Sequence, residues 1–364
     1  MSPLRRTVVL SVGSILMAAA CVHCLPEAAQ AAQTTTFKPG PVLTAEARSE
    51  ELCEAVPNRI FVDTKVGTEC LAYFVTKGFE TQRQAVFYFG GDAPTLATQP
   101  AFEASLQQNL NGMERLLQSW ADRLHVRYVY VSRLGLQGSS GNHSERNRAR
   151  ETLIFAMATS LLKARLGIDT IALAGQSRGS TIAASLLTMG QKDVQCAVLG
   201  SGAFELVNLE YDRAVRNGRK VTKAALGKAM YDPSAHIGSI EQNPARRIFV
   251  LGDPADTRTP IAQQSRFVDS LKAAGHHAVA IEVEAPDHHG ASMYSVPTAG
   301  ACLNNRPDQQ IIRAVANAQP KKELRASALI PADGDPSAAA RVIPASSAAH
   351  LRASVGPASR LSAH

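Results

Sequence analysis

Aromatic side chains make up only about 5% of this 364-residue chain, with a single tryptophan, and charged residues make up 19%. No basic stretch is interleaved with aromatics, so the pattern by which proteins stack on and neutralise nucleic acid is missing. No GxGxxG follows the first apolar strand and no GxxxxGK[ST] occurs, which leaves nucleotide binding without support. The only long apolar run lies at the extreme N-terminus, and it is too short and too poorly flanked for a membrane span. Beyond the first 31 residues there are four cysteines, Cys53, Cys70, Cys196 and Cys302, with no CxxC spacing and no Cys/His cluster. A zinc or iron–sulfur site is therefore not expected. The formal charge of +7 is also misleading. A C-terminal tail holds six Lys/Arg against three Asp/Glu and the first 31 residues two against one, leaving about +3 for the rest.

Both ends read as segments outside the fold. "MSPLRRTVVLSVGSILMAAACV" has two arginines followed by an apolar stretch, and "AAQAAQ" supplies a small-x-small cleavage site after Ala31. Residues 1–31 thus read as a secretory signal peptide, and the mature chain is expected to be exported, periplasmic or extracellular. A rival reading has Cys21 as a lipidated cysteine after "MAAA", but the residue three before it is alanine rather than leucine. Residues 32–57 form a lead segment. Residues 319–364, rich in Ala, Ser, Pro and Arg without a sustained period, are expected to be disordered. In an oxidising compartment the four remaining cysteines are expected to pair. Cys53 and Cys70 flank a strand and suit a local bridge, which leaves Cys196 with Cys302 across a much longer loop.

Between those ends, strands alternate with helices. Residues 58–76 form two strands about a "KVGTE" turn, a hairpin. "QAVFYFGG" is a continuous apolar strand ending in glycines. Residues 101–124 place Phe102, Leu106, Leu110, Met113, Leu117 and Trp120 at helical spacing. "VRYVYVSR" is a strand, "SERNRARETLIFAMATSLLKARLG" a helix stopped by Gly167, and "DTIALAG", "STIAASLLTMG" and "VQCAVLGSG" are strand, helix and strand. After an insertion over 203–245 come "RRIFVLGD", "PIAQQSRFVDSLKAAG" and "HAVAIEVEA", and a final helix begins near Asp308. Strands apolar throughout, alternating with helices, predict an α/β fold with a mostly parallel sheet covered on both faces. In such sheets ligands bind beyond the carboxyl ends of the strands.

One of those ends reads "TIALAGQSRGSTIAASLL". A serine there is exposed only if the chain turns very sharply, which strains its backbone and demands small residues two positions before and after. Gly175-Gln176-Ser177-Arg178-Gly179 meets that demand. The five-residue pattern alone is common; the strand before it and the helix after it make it specific. The helix start adds free backbone N–H groups, so that the N–H of Arg178 points at a developing oxyanion. A serine nucleophile needs a base, and the base an orienting acid. The next strand end, "IFVLGDPADTRTP", offers Asp253 and Asp256; the one after, "EAPDHHGAS", offers His288 and His289. Ser, Asp, His is the order in which a triad falls on this strand–helix pattern.

With these motifs the chain resembles the α/β-hydrolase superfamily over residues 58–318, in particular its dienelactone-hydrolase-like and prolyl-oligopeptidase-like catalytic domains. In those families the acid is followed four residues later by proline, which selects Asp256 by its Pro260, and the histidine is followed by glycine, which selects His289. "FYFGGDAPT" resembles the turn that supplies a second oxyanion donor, implying the N–H of Gly91 or Asp92. "SRLGLQGSSGNHSERNR" resembles the loop after the following strand in these enzymes; Arg133 and His143 there read first as structural residues and second, with His288 on its own loop, as side chains that face substrate. The insertion sits where these enzymes place a cap, and here it is short and basic. Its Lys and Arg read first as a solvated surface and second as a lure for an anionic acyl group.

The expected function is that of a secreted serine hydrolase cleaving a carboxylic ester through Ser177, Asp256 and His289, without metal or organic cofactor. Its expected partner is a small-molecule acyl substrate; no nucleic acid and no membrane span after signal cleavage are expected. Two alternatives stand beside it: an exported aminopeptidase or acyl-peptidase, and a non-catalytic binding protein on a hydrolase fold. With only some 25 residues between signal peptide and core, no propeller gating domain fits.

Overall fold

The computed structural model of the chain describes residues 49–92 and 100–320, with side chains described for 49–92 and 111–320. The expected signal peptide, Cys21, most of the lead segment and the tail from Lys321 lie outside those residues.

Eight strands form one sheet. In chain order they are β1 (Arg59–Thr64), β2 (Gly67–Val75), β3 (Gln84–Phe89), β4 (Arg127–Val131), β5 (Thr170–Gln176), β6 (Val194–Gly200), β7 (Arg247–Gly252) and β8 (His277–Glu282). Their spatial order is β1-β2-β4-β3-β5-β6-β7-β8. β2 runs antiparallel to both of its neighbours, β1 and β4, while every pair from β4 across to β8 is parallel. The crossover that exchanges β3 and β4 places β3 directly beside β5, so the end of β3 meets the turn that follows β5. This is an α/β-hydrolase fold.

The strands are apolar throughout because both faces are buried. Ala85, Phe87 and Phe89 of β3 point into one core layer with α3 (Ala149–Arg165), α4 (Arg178–Thr188) and α7 (Ile261–Ala273). Val86 and Tyr88 point into the other, with α2 (Pro100–Leu124), α8 (Ser292–Leu303) and α9 (Asp308–Ala318). That strict alternation is what a strand's two-residue period produces. Two disulfides fasten the layers: Cys53–Cys70 ties the short α1 (Glu50–Glu54) to β2, and Cys196–Cys302 ties β6 to α8. The insertion between β6 and β7 carries α5 (Leu206–Arg216), α6 (Lys223–Ala229) and a 3-10 turn, Pro233–Ser239. A small cluster of Ala203, Leu206 and Leu209, with Met230 against it, packs it together.

α1, α5 and α6 lie in stretches that the sequence reading left without elements, and α3 and α8 depart from it. α3 begins at Ala149, five residues later than its amphipathic pattern suggests, because Asn147 is left-handed (φ 70°) and Arg148 is extended. α8 was not expected at all. It contains Pro297 and buries Tyr294, Ser295, Val296 and Thr298–Leu303, so it has no polar face to give a helical period. Among the described residues no helix is long and apolar enough to cross a membrane.

Candidate active site

Three strand ends on one edge of the sheet converge on Ser177. The residue sits between β5 and α4 with φ 54° and ψ −122°, a conformation that costs a non-glycine residue on the order of 1–3 kcal/mol. Neighbouring backbone holds it there: its N–H donates to the carbonyl of Gly200 at the end of β6 (2.8 Å). The two flanking glycines are steric necessities. A Cβ on Gly175 would lie 2.5 Å from the carbonyl oxygen of Gly179. A Cβ on Gly179 would lie 2.5 Å from the carbonyl oxygen of Gly90 and closer still to that of Phe89. Ordinary contact begins near 3.4 Å.

His289 lies across from the serine. Its Nε2 is 2.8 Å from Ser177 Oγ, and its Nδ1 is 2.8 Å from Asp256 Oδ2. With the carboxylate accepting at Nδ1, the imidazole proton sits on Nδ1 and Nε2 is free to accept from the hydroxyl. Asp256 itself is buried in the turn after β7. Its Oδ1 accepts from the backbone N–H groups of Arg258 (2.8 Å) and Thr259 (3.0 Å), and its Oδ2 also accepts from the Thr259 hydroxyl (2.8 Å). Burial opposes the charge, but the hydrogen bonds from His289 and Thr259 outweigh it and hold the carboxyl below its ordinary pKa. The backbone of His289 is tethered too, since Gln176 Nε2 donates to its carbonyl (2.6 Å).

The other Asp–His pair stands alongside. Asp253 accepts from the N–H groups of Ala255 and Ala285, each at 2.8 Å, and lies 3.2 Å from His288 Nδ1. Asp253 therefore joins the loop after β7 to the loop after β8, while His288 points outward with a side chain 60% exposed. Asp287 and His288 both take positive φ in this loop (50° and 55°), which turns the two histidines apart.

The loop after β3 closes the opposite side. Gly91 lies against the serine: a Cβ on it would sit 3.3 Å from Ser177 Cβ. Asp92 follows, and its carboxylate meets Arg133 Nη1 (3.1 Å) and Arg146 Nε (3.3 Å). Arg133 takes the structural one of its two sequence readings. Its side chain is 1% exposed and is held by Glu151 (2.8 Å) as well as Asp92. It braces the loop from behind, a role the sequence does not announce because Glu151 lies 18 residues on, inside α3. His143 is also inside the protein, 4.0 Å from Asp92, where burial and the nearby Arg133 lower its pKa and keep it neutral. Among the described residues no group of three His, Cys, Asp or Glu side chains is placed to hold a metal ion.

Chemically, the arrangement offers a hydroxyl in contact with an imidazole nitrogen, an ionised carboxylate behind that imidazole, and the first N–H of α4 in the residue after the serine. Thr259 and Gln176, which orient the acid and the base, were not singled out from sequence; the "DTRTP" and "GQSRG" contexts were the available signal.

No protein family and no curated protein matches the sequence. Solved structures do. An esterase from Pyrococcus furiosus matches at 14% identity and TM-score 0.49, over 68% of this chain and 91% of its own. The acylaminoacyl peptidase of Pyrococcus horikoshii matches at 15% identity and TM-score 0.45, over 71% of this chain and 41% of its own. Likenesses at this level say nothing of the reaction; the fold stands on the strand order.

Proposed function

We propose that the chain is an exported serine hydrolase that cleaves a carboxylic ester through an acyl-enzyme. The observation that carries the reading is the continuous line of contacts from Ser177 Oγ through His289 to Asp256, each 2.8 Å, on a backbone held in a strained turn. Ser177 Oγ attacks the ester carbonyl while His289 Nε2 takes its proton. The negative charge moves to the carbonyl oxygen, where the N–H of Arg178 and that of Gly91 or Asp92 receive it. Collapse expels the alcohol, protonated by His289. Water, deprotonated by the same nitrogen, then attacks the acyl-enzyme and releases the acid with Ser177 restored. Asp256 keeps the imidazole in the tautomer this requires. Two disulfides suit an oxidising compartment, which supports export.

Charge separates the ester reading from the aminopeptidase one. A pocket for an α-ammonium group needs a free carboxylate, and among the described residues Asp92, which follows Gly91, and Glu210, which pairs with Arg178, are each already shared by arginines. The test is labelling of the mature protein by a fluorophosphonate, beside Ser177→Ala, followed by short esters against aminoacyl amides. Label that vanishes in the variant, with esters turned over faster than amides, is the expected outcome. A folded wild type that takes no label would sink the reading and leave a binding protein on a hydrolase fold.

A further inference from the structure

A cavity of about 220 Å³ is lined by the residues next in chain to Ser177 and Gly91, Arg178 and Asp92, and its walls carry four arginines, Arg146, Arg148, Arg178 and Arg213, and two carboxylates, Asp92 and Glu210. They come from four separate segments: the loop after β3, the loop before α3, the start of α4 and α5 of the insertion. Glu210 is shared between Arg178 and Arg213 Nη1 (2.9 Å). Asp92 accepts Arg146 from within the cavity and Arg133 from behind it. Arg148 is exposed and forms no ion pair among the described residues. Four guanidinium groups thus face two carboxylates, one of which is already neutralised from outside.

A solvated ion-pair surface does not account for this. Surface pairs balance sign and keep their donors wet, whereas Arg178 has a side chain only 6% exposed and an Nη1 with no hydrogen-bond partner. An orphaned buried donor on a charged group is a cost that folds normally avoid. An oxyanion removes both anomalies, since it brings two or more acceptor oxygens and negative charge to planar donors built for bidentate contact. The position is informative as well. Arg178 immediately follows the serine, and Asp92 follows the glycine that touches it. The volume admits a small polar group rather than a long acyl chain.

We propose that this cavity is a subsite for an oxyanion, a carboxylate or a phosphate, carried by the substrate ester a few bonds from the carbonyl that Ser177 attacks. The proposal rests on the hydrolase reading for the position of that carbonyl; the binding of the anion does not. Of the two sequence readings of the basic insertion, a solvated surface and a lure for an anionic acyl group, the proposal takes the second for Arg213, which with Glu210 of α5 lines the cavity.

The test separates the two. The full-chain Ser177→Ala protein is titrated calorimetrically with monoethyl glutarate, diethyl glutarate and inorganic phosphate. The monoanionic ester is expected to bind at least about tenfold more tightly than the neutral diester, as loss of one charge-assisted contact implies. Arg146→Gln and Arg148→Gln, each in the Ser177→Ala background, should each weaken it, and Arg148→Gln guards against misfolding because that side chain is exposed and unpaired. Competition by phosphate identifies a phosphate site, and its failure to compete a carboxylate site. Equal binding of the two esters, or an affinity for the monoanion unmoved in both variants, overturns the proposal. In the wild-type enzyme the ratio of kcat/KM for the two esters should follow the same order. Arginine-dependent binding without fluorophosphonate labelling would remove the hydrolase reading and keep the subsite.

Discussion

Gly179→Ala tests the link between the elbow's packing and its chemistry. The added methyl would stand 2.5 Å from the Gly90 carbonyl oxygen and nearer still to that of Phe89, at least 0.9 Å inside the 3.4 Å where ordinary contact begins. Both obstacles are backbone at the end of β3, so no side chain can swing away. Either α4 withdraws from β3 or the Gly90–Gly91 turn moves outward. Overpacking of this kind costs about 1–3 kcal/mol of stability. The functional cost is larger, because the turn that moves carries the second proposed oxyanion donor. A displacement near 1 Å lowers a rate by about 10²-fold, and complete loss of one donor by about 10²–10³-fold. The assay is kcat/KM on a short ester together with the urea midpoint. Gly112→Ala in α2 is the control: a Cβ there meets nothing within 4 Å, so the variant should gain about 0.5–1 kcal/mol. A Gly179→Ala enzyme with wild-type kcat/KM and midpoint would refute the argument that backbone contact at this glycine sets the site.

Asp256→Asn should lower kcat/KM by about 10⁴-fold, since an amide can accept the N–H groups of Arg258 and Thr259 but does not secure the imidazole tautomer. Asp253→Asn should cost far less activity; equal losses in the two variants would show that the two Asp–His pairs are not distinct. Both carboxyls are held below their ordinary pKa: burial opposes the charge in each, but backbone and histidine hydrogen bonds outweigh it. Their contribution to stability is therefore present above the ordinary carboxylate range and is lost as pH falls through the depressed values. Thermal midpoints measured from pH 7 down to pH 3 should fall less steeply for Asp253→Asn than for wild type. Replacing Cys196 and Cys302 together by serine should cost about 2–5 kcal/mol in urea unfolding, as expected for a long loop opened in the unfolded chain. An unchanged midpoint would mean that the bridge constrains nothing that packing does not already fix.

The frame was legible because its signals are local. Apolar strands end in glycine or aspartate where the chain leaves the sheet, and the elbow glycines mark a turn that no other residue can make. The triad's order could be read in the same way, whereas the choice of Asp256 over Asp253 came only through the family resemblance, from Pro260, and no local pattern makes it. Both are buried and hydrogen-bonded, and which one meets His289 depends on a loop with two positive-φ residues. α8 was invisible because burial on all sides erases periodicity. What Arg133 holds could not be read, because its partners, Asp92 and Glu151, become neighbours only when α3 packs beneath the loop after β3. The arginine cavity was scattered among four segments, none of which carries a motif.

The Cys196–Cys302 bridge closes a covalent ring of chain that contains the whole insertion, Asp256 and His289, but leaves Ser177 outside it. A protease that nicks the insertion at an exposed residue such as Arg219 or Lys220 would leave both fragments joined through sulfur. Under oxidising conditions the cleaved protein would still migrate as one molecule, with its acid and base still attached to the piece that bears the nucleophile. Only reduction would set the two fragments free, so while the bridge is intact the insertion is a stretch in which the backbone can be cut without dividing the protein.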